Sequence, residues 1–369
     1  MIYLLRCNSI LADSRVLKYI SFYKENKIDY KIVGWDRTNE GVKIENGILY
    51  QKKSGYRVGG LKAAYFRVLW MLYVLKQLKK ASKVDVVHAC DLDTVFPTVI
   101  YKALFHREVK VIFDVFDWFS DNLGDQNALI RGAFKLMEKI SVKLSDAIII
   151  CEPERREQIP YQLKTEPLIF PNIPSFSNYD FLKEDKSLMF GNGLITIAYV
   201  GGFINDRFLK ELLHLADEHL INLLIAGYGE EDIVELCNSL NERDNVQYLG
   251  KVPYQKGLTI MYNSDIIYAM YCKVSRNNVF AAPNKYYEAM LLGKPIISTK
   301  GTILEKKIVG NNMGYVVEED YQELKSLVSQ IKRDDMDAKG RNARQLWESK
   351  YQDYTQRFLR GEYMVLIKS

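Results

Sequence analysis

The sequence predicts an α/β protein of two doubly wound, Rossmann-like halves. Three observations carry this reading. A chain of 369 residues suits two domains of roughly 150–200 residues better than one. Strand-like apolar runs alternate with amphipathic helical stretches, the pattern of a parallel sheet covered by helices. One break, FPNIPSFSNYD, carries two prolines among polar residues and reads as a linker near 175–190.

The elements follow in order. IYLLR is a first strand, a helix spans about Arg15–Asn26, and YKIVGW is a second strand. A long helix near Leu61–Lys80 precedes the strand DVVHAC, then come a helix, the strand VKVIFDV, a helix at Phe134–Leu144 and AIIIC at Ala147–Cys151. After the break a second series begins at LITIAYVGG and continues through INLLIAGYG, VQYLG, DIIYAMY and PIIST. The aromatic-rich end, YQDYTQRFLRGEYMVLIKS, is expected to form a helix that packs back on the first domain. The expected domains are 1–175, completed by 352–369, and 190–351.

Composition narrows the function classes. The opening MIYLLRCNSI has no basic leader and no small-residue cleavage site, so a cytoplasmic location is expected. No apolar stretch is long enough to span a bilayer. Cys7, Cys90, Cys151, Cys237 and Cys272 are scattered without zinc or disulfide spacing and are expected to be reduced thiols. Residues 1–179 carry 27 Lys and Arg against 20 Asp and Glu, and the remainder 24 against 26, so the first half is the basic one.

Two segments could carry chemistry. YVGGF leads through INDRFLKELL into a helix with Arg207 near its start. A glycine-lined helix start beside a cation can cradle a diphosphate, although Gly201-Gly202 alone also reads as a plain tight turn. Gly227 and Gly229 close the next strand, on the side where parallel sheets bind ligands. In PNKYYEAMLLGKPIIST, Pro283-Asn284 opens a helix and Glu288 lies about one turn in. One carboxylate there can accept both hydroxyls of a ribose, or simply complement the helix dipole.

PNKYYEAMLLGKPII resembles the donor-binding segment of the glycosyltransferase family 4, or group 1, enzymes, and a variable loop and GYVV follow it as in that family. VDVVHACDLDTVFPTVIYKAL, VIFDVFDWFSDN, YVGGFINDRFLKELL and LGKVPYQKGLTIMYNSDIIYAM resemble further segments of the family, in the correct order along the chain. The resemblance implies the GT-B fold, with two parallel sheets facing a central cleft. It also implies transfer from a nucleoside diphosphate sugar, with retention of configuration and without a metal or other cofactor.

Residue by residue, the resemblance places Arg207 on the donor diphosphate, Gly201 and Gly202 beneath it, and Glu288 on the ribose. Lys251, Val252 and Pro253 fall near the base, Asn284 and Lys285 face the sugar or phosphates, and Gly227 and Tyr228 line the donor side. Asp91 and Asp117 are the candidate catalytic carboxylates in the first domain, with Asp114 as a further matching polar residue. Asp13 and Arg15 resemble a loop on the acceptor side. The chain departs from the pattern at Phe280, where relatives carry an acid eight positions before Glu288, and at Cys90 and Phe116, where they carry histidines. Asp91-Leu-Asp93 is not read as a metal site in this context, and His88 within VVHA reads as a hydrogen-bonded core residue.

Between Glu45 and Asp85 there is no acid, while Lys52, Lys53, Arg57, Lys62, Arg67, Lys76, Lys79, Lys80 and Lys83 flank the run YFRVLWMLYVLKQL. An anionic membrane surface attracts such a segment, and the other reading is a core helix with a solvated basic face. Nucleic acid is not expected as a partner, because no nucleic-acid module accompanies the charge. A membrane-facing first domain suits an acceptor on a polyprenyl diphosphate, as in capsule or O-antigen assembly. Two rivals stand beside a transferase: a sugar-nucleotide 2-epimerase and a non-catalytic partner in a glycan-assembly complex.

Overall fold

The computed structural model describes residues 1–8, 10, 13–37, 39, 41–54, 60–123, 128–174, 176 and 178–368, with the side chains of 60–63 left aside. Arg57 and the Lys62 side chain of the basic segment lie outside this description. The chain forms two compact units, Met1–Pro171 with Gln356–Ser369, and Asn172–Thr355.

The first unit is built on β1 (Ile2–Arg6), β2 (Tyr30–Asp36), β3 (Gly47–Gln51), β4 (Val86–Cys90), β5 (Lys110–Val115), β6 (Ala147–Ile150) and β7 (Leu168–Ile169). They form one sheet in the order β3-β2-β1-β4-β5-β6-β7, and every pair is parallel. β1 and β4 are buried at every residue, as strands covered on both faces must be. Sequence reading missed β3 and β7. GILYQ is only half covered at the sheet edge, and two residues are too few to show a period.

Helices Gly60–Lys80, Leu92–Leu104 and Ala128–Leu144 pack side by side. Trp70 of the first stacks on Trp35 of β2, with ring centroids 5.7 Å apart. A second aromatic set gathers on helix Ser14–Glu25, where Tyr19 lies 4.9 Å from Tyr363 and Phe170 stacks on Phe358 at 4.4 Å. The terminal segment thus returns to the first unit. Its helical turns include a wider π turn at Leu359–Tyr363, which carries the buried Tyr363.

The second unit holds β8 (Thr196–Phe203), β9 (Asn222–Gly229), β10 (Val246–Tyr248), β11 (Ile266–Ala269), β12 (Ile296–Thr299) and β13 (Gly314–Val317). Their order, β10-β9-β8-β11-β12-β13, is again parallel throughout. In each sheet the order reverses beside the first strand of the series, at β1/β4 and at β8/β11. Ligands of open parallel sheets bind beyond the carboxyl ends of strands at such switch points.

All five cysteines are buried free thiols. No described helix is long and apolar enough to cross a membrane.

Candidate functional site

In the second unit the residues expected on the donor converge on the β8/β11 switch point. The expected Gly-Gly turn is not there. β8 runs on through Gly201 and Gly202 to Phe203, paired as Gly201↔Gly227 and Gly202↔Tyr228, and the next helix begins only at Leu209. The glycines serve close approach instead of a turn. A Cβ on Gly227 would stand 1.9 Å from the Gly201 carbonyl oxygen, and one on Gly201 would stand 2.8 Å from Lys285 Nζ. Gly227 donates its N–H to the Gly250 carbonyl at 2.8 Å, so that amide is already committed within the protein.

The bare Gly201 Cα therefore makes room for the Lys285 ammonium, which lies 4.7 Å from the centre of the Tyr199 ring. No described carboxylate or carbonyl pairs with that ammonium. Burial pulls Lys285 down to about 8, with Glu288 opposing the shift and the charge of Arg207 adding to it. A half-buried cation without a protein partner favours an anionic ligand.

Arg207 ends a short turn after β8. It is paired with Asp206 Oδ1 at 2.6 Å and laid over the Tyr271 ring at 4.1 Å. Asn278 in turn holds Asp206 through Nδ2 to Oδ2 at 2.8 Å, and donates to the Cys272 carbonyl at the same distance. Motif reading missed this clasp, because neither Asp206 nor Asn278 stands out by spacing. Phe208, just beyond, has φ of 54° in a region costly for a residue with a side chain.

Asn284 is the first residue of helix Asn284–Leu292, with Pro283 before it. Glu288, one turn further on, is 4 % exposed and accepts the Tyr254 hydroxyl on Oε1 at 2.8 Å. Lys251, Val252 and Pro253 follow β10 and lead into helix Tyr254–Tyr262. Lys251 Nζ stands 4.8 Å over the ring of Tyr228, which is largely exposed. Phe280, at the place of the absent acid, is buried.

In the first unit Arg6 and Asp91 sit at the carboxyl ends of the neighbouring strands β1 and β4. Asp91 Oδ2 is ion-paired with Arg6, and its Oδ1 accepts the Phe116 and Asp117 amides at 3.0 and 3.4 Å. Asp91 also holds a φ of 71°. Burial pushes its carboxyl up to about 6, against the pull of Arg6 and with the push of Asp93 and Asp117. A strained, partly desolvated carboxylate at a switch point can accept a proton or a hydrogen bond near neutral pH. Asp117 is more open and takes Arg155 Nη2 at 3.2 Å. The resemblance did not point to Arg6, although it closes the first predicted strand.

The acceptor-side pair is arranged differently from the expectation. Asp13 caps helix Ser14–Glu25, accepting Val16 N at 3.2 Å and Arg6 Nε at 2.8 Å. Arg15 is 3 % exposed and turns inward. Its Nε and Nη2 reach Asp114 at 3.1 and 2.6 Å, and its Nη1 reaches the Phe170 carbonyl. Asp114 also accepts Tyr19 at 3.0 Å and faces His88 Nε2 at 3.2 Å, while His88 Nδ1 meets the Tyr363 hydroxyl at 2.7 Å. His88 is thus the hydrogen-bonded core residue expected of it. Arg15 belongs to that same network, for a reason invisible to motif matching: the chain returns at Phe170 to cover it. His88, Cys90 and Asp114 also offer ligand atoms within 4.8 Å of one another, but the guanidinium of Arg15 occupies the carboxylate.

Residues 180–347 match the family described as Glycosyl transferases group 1. No curated protein sequence matches the chain. Among solved structures, the sucrose-phosphate synthase of Thermosynechococcus elongatus superposes with a TM-score of 0.74 at 13% identity, over 100% of this chain and 99% of that one. Anabaena HepE in complex with UDP-glucose gives 0.66 at 13% identity over 95% of each chain. WaaG, a glycosyltransferase involved in lipopolysaccharide biosynthesis, gives 0.62 at 14% identity over 97% of this chain and 98% of that one. The fold of these structures is the GT-B fold described above, and within it residues 180–347, nearly the whole of the second unit, form the part that matches the group 1 glycosyltransferases.

Proposed function

We propose that this enzyme transfers a sugar from a nucleoside diphosphate sugar, with retention of configuration, to a hydroxyl of a glycan or polyprenyl-diphosphate-linked acceptor in surface polysaccharide assembly. The bond from the anomeric carbon to the phosphate oxygen breaks, one to the acceptor oxygen forms, and a nucleoside diphosphate departs. The observation that carries the reading is the unpaired Lys285 ammonium beside Gly201, with Arg207 close by at the carboxyl end of β8. Two cations there stabilise the charge that grows on the leaving diphosphate, the largest contribution such chemistry asks of a protein. Glu288 holds the ribose, and Lys251–Pro253 with Tyr228 receive the base. Asp91 and Asp117 orient the acceptor.

The lipid-linked acceptor draws support from the first unit. Tyr65, Val68 and Leu72 are exposed on helix Gly60–Lys80, among the cations of the acid-free segment. On helix Ala128–Leu144, Leu129 and Leu136 are exposed beside Lys135, Lys139 and Lys143, which recur every fourth residue. Apolar ridges flanked by lysine are what the headgroup region of an anionic bilayer receives. The enzyme then works as a peripheral protein at the inner face of the cell membrane.

The test is a panel of UDP-, GDP-, ADP- and dTDP-sugars read by thermal shift and by slow donor hydrolysis. A ligand that binds only the native state raises its stability by RT ln(1 + [L]/Kd). One nucleotide class is expected to stabilise the protein and to be hydrolysed. Arg207→Ala should lower hydrolysis by the equivalent of about 2–4 kcal/mol, the cost of losing one charge-stabilising donor, and Glu288→Ala should abolish the shift. An Arg207→Ala enzyme of full activity refutes the diphosphate assignment.

A further inference from the structure

We infer that Tyr254 is a positioning residue of the donor site: its hydroxyl occupies one oxygen of Glu288, fixes the carboxylate, and leaves Oε2 alone to meet the ribose. The inference rests on the reading of Glu288 as the ribose-holding group.

Three observations support it. The Tyr254 hydroxyl donates to Glu288 Oε1 at 2.8 Å, joining the first turn of helix Tyr254–Tyr262 to the middle of helix Asn284–Leu292. Glu288 Oε2 takes no hydrogen bond from any described group. The Tyr254 ring is itself held, stacked on Phe176 with centroids 5.5 Å apart, and Phe176 is wedged against Phe181 at 5.2 Å and Tyr179 at 5.8 Å. The hydroxyl is therefore presented by a braced ring, and a braced donor loses little entropy in holding its acceptor.

The arrangement has an electrostatic consequence. Burial pushes the Glu288 carboxyl above its ordinary value, and two groups pull it back: the Lys285 ammonium on its own helix and the Tyr254 hydroxyl on the neighbouring one. Arg207 faces the same cluster through Lys285, and Tyr179 lies behind Tyr254. An ionised carboxylate only accepts, as two ribose hydroxyls require, whereas a protonated one must itself donate from one oxygen. Tyr254 therefore both aims the acceptor oxygen and extends the pH range over which it is charged. It also sets how the ribose is read. With Oε1 occupied, both hydroxyls compete for the lone pairs of one oxygen, so removing either hydroxyl from the ligand should be felt.

Tyr254 lies within the stretch LGKVPYQKGLTIMYNSDIIYAM that the resemblance sets near the base, but the resemblance gives it no role. Tyr254 has no spacing signature, because its partner lies 34 residues on and the two helices meet only in the folded unit.

The experiment titrates UDP, 2′-deoxy-UDP and 3′-deoxy-UDP into the full-length wild type, Tyr254→Phe, Phe176→Leu and Glu288→Gln, and follows affinity from pH 5 to 8. Phenylalanine keeps the ring and its stack, so Tyr254→Phe is expected to fold as the wild type does. Loss of one hydrogen bond to a charged acceptor should weaken UDP about three- to tenfold. The acid limb of the affinity profile should move to higher pH, and discrimination against both deoxy ligands should shrink. Glu288→Gln should lose affinity without an acid limb, and adding Tyr254→Phe to it should cost almost nothing more. Phe176→Leu should reproduce part of the Tyr254→Phe effect with no move of the limb. A Tyr254→Phe protein with wild-type affinity and an unmoved acid limb overturns the inference while leaving Glu288 on the ribose. A Glu288→Gln protein with wild-type affinity removes the ribose assignment and the inference with it; where the panel selects another nucleotide class, its diphosphate and deoxy forms take the place of UDP in the same titrations.

Discussion

Replacing Asp114 by Asn tests whether Arg15 serves the interior of the first unit or an acceptor. Asp114 has no exposed surface, and it receives two guanidinium nitrogens, the Tyr19 hydroxyl and His88. Asparagine keeps the volume but removes the charge and turns an N–H pair toward the donors of Arg15. The guanidinium would then be buried at 3 % exposure without a counter-charge, a situation that costs about 3–5 kcal/mol. An independent figure comes from the carboxyl itself, held at about 2 against an ordinary 3.8. At about 1.4 kcal/mol per unit this is on the order of 2 kcal/mol at neutral pH. Because the folded value is the lower one, that stability is present above about pH 4 and is lost as pH falls toward 2.

Urea unfolding followed by tryptophan fluorescence measures the effect, since Trp35, Trp70 and Trp118 lie in the first unit and only Trp347 in the second. With a denaturant slope of about 2 kcal/mol per molar, the midpoint should fall by about 1.5–2.5 M. Arg15→Met with Asp114→Leu should recover most of the loss, because a buried ion pair can be exchanged for well-packed apolar groups. A midpoint within about 0.5 M of wild type would refute the reasoning and return Arg15 to the candidates for acceptor binding.

Lys18 is 8 % exposed and its ammonium has no hydrogen-bond partner among the described residues; burial, with the charge of Arg15, lowers it to about 7. The unfolded chain binds the extra proton between that value and 10.5, so stability should rise with pH across this window by up to about 1.4 kcal/mol per unit, and Lys18→Met should abolish the slope. Gly227→Ala must separate β8 from β9, and should cost about 3 kcal/mol or more together with donor binding, read by thermal unfolding and UDP titration. Changing Lys135, Lys139 and Lys143 together to Glu should release the protein from anionic vesicles at low salt while leaving donor hydrolysis intact, and retention on the vesicles would remove helix Ala128–Leu144 from the membrane reading.

The sequence by itself determined the class of fold. Strands buried on both faces of a parallel sheet must read as continuous apolar runs, and IYLLR, VVHAC and NLLIAGYG do. It also brought the candidate donor residues together, because PNKYYEAMLLGKPII places Asn284, Lys285 and Glu288 within two turns of one helix, where spacing alone sets their common neighbourhood. Only the tertiary structure decided what each side chain touches. Gly201 and Gly227 proved to be contact points between paired strands, since the need for a missing Cβ arises from the neighbouring chain and not from local conformation. Arg15 turned inward because Phe170 and Asp114, far along the chain, close over it. The partners of Asp91 and Glu288, Arg6 and Tyr254, come from elements 85 and 34 residues away. Periodicity reports which face of an element is buried; which distant group fills that space depends on packing, and packing is specified by the whole fold at once.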